Sequence, residues 1–196
     1  MQSPLHNLSR YDIRLASKSP RRRELLGMLG LQFSIAETID VDESYPHDLP
    51  TNEVAPYIAK KKGDAYRKTL REGMLVITAD TVVITDGEIL GKPHSADEAV
   101  EMLRKLSGHS HTVMTGVTLA TTERTRTFAV ETTVEFARLS YEEIRYYVDR
   151  YSPLDKAGAY GIQEWIGAIG VKSISGSYYN VMGLPLHRLY NELREF

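Results

Sequence analysis

Ser17-Lys18-Ser19-Pro20-Arg21-Arg22 gathers two hydroxyl side chains, the amides of a predicted helix start and two guanidinium groups within one turn of chain. Each part favours phosphate. Helix N-termini present unpaired N–H donors at the positive end of the dipole, and arginine forks onto two phosphate oxygens. The same residues also read as a Ser/Pro helix cap followed by a solvated basic patch. No Gly-x-x-x-x-Gly-Lys-Ser/Thr run occurs in the chain, so a phosphate cradle here is not a Walker loop.

Asp80 follows the apolar run Leu75-Val76-Ile77-Thr78-Ala79 and is read as sitting where a buried strand ends. A charge there is costly unless it reaches a metal, a partner or a cleft, which makes Asp80 the leading catalytic candidate. Glu43, in an acidic loop with Asp40 and Asp42, is a second oxygen donor; magnesium is commonly held by one or two carboxylates plus substrate phosphates. The bland readings are a turn residue for Asp80 and a solvated loop for Glu43. The histidines show no paired metal spacing.

Lys60, Lys61 and Lys62 are consecutive on a predicted helix, so they fan out and at most two face one site. Lys92, between Gly91 and Pro93, is placed to reach phosphate or is an ordinary turn residue. Leu154 to Gln163 is rich in small residues that let a ligand approach the backbone, and Gln163 can both donate and accept toward a base edge. Its bland reading is a loop with a buried ion pair.

The elements that must carry these residues alternate. Ile13–Ala16 and Phe33–Ala36 read as short strands around a helix over Arg21–Leu29, and Thr51–Glu72 as a long helix with Val54, Ile58 and Ala65 on its buried side. Leu75–Ala79 reads as a buried strand that runs directly into Asp80–Ile84, and Asp86-Gly87 offers a hairpin turn. Ser95 with Glu98 and Ser140 with Glu143 match capping boxes ahead of helices reaching Leu106 and Tyr151; Thr112–Ala120 and Thr127–Phe136 lie between them as strands. A strand near Val171–Ser175 and a helix from Pro185 close the chain. Interleaved strands and helices without repeat or linker predict a single α/β domain, a mixed sheet flanked by helices. A cleft is expected where the loops after Ala16 and Ala79 meet, with Ser17, Asp80 and Gln163 on one pocket.

Composition bounds the rest. The 196 residues suffice for a sizeable core, and 24 basic against 26 acidic side chains exclude the strong positive field of a protein that tracks nucleic acid. With no cysteine, disulfides and thiolate chemistry are absent, which fits a reducing compartment. No apolar run approaches bilayer length, so a soluble, cytoplasmic protein is expected.

Taken in order, Ser17 to Arg22, Ala79-Asp80-Thr81-Val82-Val83, Gly91-Lys92-Pro93 and Leu154 to Gln163 resemble the motif set of the Maf family of nucleotide pyrophosphatases. The resemblance covers residues 12–196 and leaves 1–11 as an N-terminal extension. It implies a twisted mixed α/β sheet with a deep cleft, related to the inosine triphosphate pyrophosphatases, and a homodimer. The implied activity is hydrolysis between the α and β phosphates of a nucleoside triphosphate with a divalent cation, Mg2+ or Mn2+. The family's cleft positions map to Ser17, Arg22, Glu43, Lys62, Asp80 and Lys92, with Asp80 as general base and Glu43 and Asp80 toward the metal. Arg21, Thr81 and Gln163 occupy the selectivity positions of the branch associated with dTTP and UTP; the 7-methyl-GTP branch carries other residues there. Lys18 departs from the pattern, since a small residue is frequent between the two serines. Two other readings stand beside this one: a non-catalytic nucleotide- or RNA-binding regulator of cell division, and a housekeeping phosphatase.

Overall fold

The structure, a computed structural model, describes residues 4–196; the first three residues of the expected 1–11 extension lie outside the described residues. Seven strands of the described residues form one mixed sheet: β1 (Asp12–Leu15), β2 (Ser34–Ile35), β3 (Met74–Thr85), β4 (Glu88–Leu90), β5 (Ser110–Ala120), β6 (Thr125–Phe136) and β7 (Val171–Ser175). Their order is β2-β1-β3-β5-β6-β7, with β4 paired to β3. Among the described residues seven α-helices accompany them: α1 (Pro20–Gly27), α2 (Thr51–Arg67), α3 (Ala96–Leu106), α4 (Tyr141–Tyr151), α5 (Trp165–Gly170), α6 (Tyr178–Val181) and α7 (Leu186–Arg194). The expected α/β class is therefore the observed one.

β1 pairs in parallel with both β2 and β3. Parallel neighbours need crossovers, and α1 and α2 supply them. The Asp86-Gly87 turn brings Thr85 opposite Glu88 in an antiparallel hairpin. Asp80 lies inside β3 and not at a strand end as expected, because the two apolar runs around it form one continuous strand. The chain packs as two compact units, Met1–Asp80 with Thr115–Val130 and Gly183–Phe196, and Thr81–Met114 with Glu131–Met182.

In the first unit α2 buries Val54, Ala55, Ile58, Ala59, Gly63 and Tyr66, the i, i+4 stripe of an amphipathic helix. Ala65, expected on that stripe, is only half-buried. The helix ends at Arg67, short of Glu72, because Thr69 turns back and donates both its N–H (2.9 Å) and its hydroxyl (2.8 Å) to the Tyr66 carbonyl. Thr78 donates to the Ala59 carbonyl at 2.7 Å and so fixes α2 against β3. The Tyr66 hydroxyl donates to the Glu37 carbonyl (2.9 Å) and accepts from the Ile39 N–H (3.2 Å), anchoring the start of the acidic loop. The N-terminal segment is docked: Leu5 and Leu8 are buried and Asn7 donates to the Leu193 carbonyl at 2.9 Å.

The second unit is built on α3, packed against α4, with Ser95 capping α3 and a full Ser140/Glu143 capping box on α4. Its core includes Leu103, Leu106, Val134, Phe136, Tyr147, Tyr160 and Ile166. His111 is buried there, Nε2 at 2.7 Å from the Tyr160 hydroxyl and its ring edge-on to Phe136. Burial pushes its imidazole down to about 4. An unfolded imidazole protonates near 6.5, so between these values the unfolded chain binds the extra proton. Stability from this group is complete above about pH 6.5 and falls as pH drops toward 4, by about 3 kcal/mol. Urea unfolding midpoints should follow that slope in the wild type and lose it in His111→Gln.

Candidate active site

In the first unit, β1 delivers the chain to Ser17, whose Oγ accepts the Ser19 N–H at 3.2 Å. Ser19 caps α1, its side chain accepting from the Arg22 N–H, and Pro20 occupies the first turn, where its missing N–H costs nothing. The expected Ser/Pro helix start is thus present.

Arg22 is partly buried and anchored to backbone: Nε donates to the Gly183 carbonyl at 2.8 Å and Nη1 to the Ala79 carbonyl at 2.9 Å. The second bond places the guanidinium beside Asp80, the next residue of β3. Burial presses the Arg22 pKa below its ordinary value and the neighbouring Arg21 adds to this, while Asp80 and Glu43 oppose it. A cation so restrained keeps its geometry but has lost hydration, the condition under which an arriving anion gains most from it.

Lys62 completes the cluster. Its ammonium lies 2.8 Å from Asp80 Oδ1 and 2.9 Å from Glu43 Oε1. Lys60 turns instead to Asp64 and Lys61 to Asp42, so the fan of three lysines resolves into one that meets Asp80 and two that do not. Lys61 Nζ also donates to the Ser44 carbonyl at 3.0 Å. Ser44 donates its N–H (2.9 Å) and hydroxyl (2.5 Å) to Asp42, and these bonds, with Lys61, hold the Asp42 carboxyl well below the usual carboxylate range. Consecutive lysines of α2 therefore grip consecutive carboxylates of the loop, and Glu43 is presented between two anchored neighbours. Lys61 in this stapling role was not foreseen, and the acidic loop facing a lysine run was its signal.

The Lys62–Asp80 pair has side chains only 16% and 13% exposed, whereas Lys61–Asp42 is 32% and 70% exposed. Exposed pairs contribute about 1 kcal/mol or less, while breaking a shielded pair strands a charge at about 3–5 kcal/mol. The inner pair accordingly sets the geometry. Two carboxylates converging on one cation are also the donor set that a hard divalent ion takes, since Lys62 engages a single oxygen of each. Among the described residues no three His, Asp or Glu side chains form a ready-made cage, so phosphate oxygens would have to complete such a shell. A groove of about 430 Å3 on this unit, lined by residues such as Asp40, Tyr57, Lys60 and Lys68, contains none of Ser17, Arg22, Lys62 or Asp80.

The second unit holds Thr81, Lys92 and Gln163. Thr81 follows Asp80 directly in β3 and is half-buried. Lys92 is exposed just past β4, and its loop is tied to the small-residue segment by the Gly158 N–H donating to the Gly91 carbonyl at 3.0 Å. Gln163 is exposed on the turn leading into α5. Lys156 in the same segment is buried and pairs with Asp155 at 2.8 Å and Glu164 at 3.1 Å, so the ion pair of the bland reading is present. Trp165 packs edge-on against Tyr146 at 4.9 Å and is not presented as a stacking platform.

A family model described as Maf-like protein matches residues 12–196. A dTTP/UTP pyrophosphatase of Bacteroides thetaiotaomicron is 59% identical, over 97% of this chain and 99% of its own. One of Parabacteroides distasonis is 52% identical over 98% of this chain and all of its own. Among solved structures, the Staphylococcus aureus Ham1 protein aligns with a TM-score of 0.54 at 20% identity, covering 92% of this chain and 99% of that one, a likeness of fold.

Proposed function

The chain belongs to the Maf family, and on that premise we propose that it hydrolyses dTTP and UTP to the monophosphate and pyrophosphate. The observation that carries this reading is the cluster of Arg22, Lys62, Glu43 and Asp80, a restrained cationic pair interleaved with two carboxylates beside a helix N-terminus. Cations and amides suit a triphosphate; a shielded carboxylate suits a water that must lose a proton.

In this reading Ser17, Arg22 and Lys92 hold phosphate oxygens. Asp80 takes a proton from the attacking water, whose oxygen bonds to the α-phosphorus as the bond to the bridging oxygen breaks and pyrophosphate leaves. Lys62 keeps Asp80 oriented. Glu43 and Asp80 would hold a divalent cation, Mg2+ or Mn2+, which when bound neutralises charge developing on the phosphates. Arg21, Thr81 and Gln163 select the base, the Gln163 carboxamide matching a pyrimidine imide edge with one donor and one acceptor. The same reading carries a cytoplasmic homodimer with no stable nucleic-acid partner; no helix among the described residues is long and apolar enough to cross a membrane.

The test is incubation with dTTP, UTP and 7-methyl-GTP in Mg2+ or Mn2+ with product analysis. Pyrophosphate from the two pyrimidine nucleotides, in excess over that from 7-methyl-GTP, is the expected result. Release of single orthophosphate would put the cut at the γ position and overturn the proposal.

A further inference from the structure

Gln163 is exposed, yet the backbone that carries it is held from beneath by buried polar groups that the hydrolysis does not use. The Tyr147 hydroxyl, on a side chain with no exposed surface, accepts the Gly161 N–H at 3.0 Å and donates to Glu164 Oε2. Burial first, and then the bond to Glu164, push the phenol above its ordinary range, so it stays protonated and the two bonds keep their polarity. Glu164 Oε1 pairs with the buried Lys156 at 3.1 Å. The residues on either side of Gln163 are thus gripped at Gly161 and at Glu164 by one hydroxyl, and the Glu164 N–H closes the turn on the Gly161 carbonyl at 3.0 Å.

Two close approaches complete the hold. A Cβ on Gly161 would lie 2.8 Å from the Glu164 carboxyl carbon and 3.0 Å from Lys156 Cε, so a side chain there would displace the ion pair that lies over it. A Cβ on Gly167 would lie 1.9 Å from the Ile162 carbonyl oxygen, which seats the residue before Gln163 directly on α5. Buried ion pairs are often matched in stability by apolar groups of the same volume. What such a cluster does well is specify one geometry, and the geometry specified here is that of the turn bearing Gln163.

We propose that Tyr147, with Glu164 and Lys156, is a positioning device for Gln163, fixing the angle at which its carboxamide meets the pyrimidine; this rests on the reading of Gln163 as a base-selecting residue. With no exposed surface, the Tyr147 side chain has no access to phosphate or base. Its loss should therefore blunt discrimination among nucleotides while the phosphate chemistry continues.

The experiment measures kcat and KM for dTTP, UTP, GTP and 7-methyl-GTP in the full chain, its Tyr147→Phe and Gln163→Ala variants and the double variant. Tyr147→Phe should lower kcat/KM for dTTP and UTP about tenfold, through KM, the scale of one misaligned hydrogen bond. Rates with GTP and 7-methyl-GTP should stay unchanged, narrowing the preference by the same factor. Gln163→Ala should narrow it as well, and adding Tyr147→Phe should then cost nothing further. An equal fall in kcat for all four nucleotides, or additive losses in the double variant, would assign Tyr147 a merely structural role and overturn the proposal. A preference that survives Gln163→Ala would overturn the base-selecting reading along with it, whereas a preference lost in Gln163→Ala but intact in Tyr147→Phe would overturn the positioning claim alone. Should Tyr147→Phe fail to fold, Glu164→Gln, which keeps an acceptor for the phenol but drops the charge facing Lys156, is expected to narrow the preference in the same direction, and an unchanged preference there overturns the proposal.

Discussion

Replacing Asp80 by Asn should lower the turnover of dTTP about 10³-fold, within the 10²–10⁴ range that a positioned acid–base group contributes. Triphosphate binding should persist or tighten, because the substitution removes a negative charge from a site that also holds Arg22 and Lys62. The fold should survive, since an amide of the same shape replaces a carboxylate whose partner Lys62 retains Glu43 at 2.9 Å. Single-turnover hydrolysis and calorimetric titration of the variant separate these effects. A regulator that merely binds nucleotide would lose nothing on this substitution, and a structural Asp80 would lose binding and folding together.

The second large effect is on stability. Gly167→Ala places a Cβ 1.9 Å from the Ile162 carbonyl oxygen and 2.5 Å from its carbon, and those are backbone atoms that no rotamer change can move aside. Overpacking of this kind costs about 1–3 kcal/mol or more, and at about 2–4 °C per kcal/mol the melting temperature should fall by as much as about 12 °C. Gly27→Ala is the matched control: a Cβ there meets nothing within 4 Å, and alanine favours the helix by about 1 kcal/mol or less. Equal melting temperatures for the two variants would show that the Ile162 contact yields easily.

Where the chain advertises its structure locally, it was readable. Ser140 with Glu143 announced α4 because both halves of the capping box lie within four residues, and Ser19-Pro20 announced α1 in the same way. Asp80 was misplaced at a strand end because an aspartate looks like a breaker until its partner is known, and that partner, Lys62, is 18 residues away. The end of α2 was missed for a local reason, the competition of the Thr69 side chain for the Tyr66 carbonyl. Helices as short as α5 and α6 span too few residues to show a period.

The candidate site divides similarly. Motif order pointed to Ser17, Arg22 and Asp80, and the family resemblance added Glu43 and Lys62; spacing alone did not choose Lys62 from three adjacent lysines, a choice the acidic loop makes by where Tyr66 and Lys61 pin it. The Tyr147 anchor was invisible because a tyrosine at helical spacing reads as core, and core it is, apart from one hydroxyl.

The paired grip of Lys61 on Asp42 and Lys62 on Glu43 gives the acidic loop an order of release. Lys61 and Asp42 are 32% and 70% exposed against 16% and 52% for Lys62 and Glu43, so mobile ions, at a screening length of about 8 Å in physiological salt and about 3 Å at 1 M, reach the first contact more readily than the second. Rising salt should peel the loop from its rim inward, with Glu43 the last to let go.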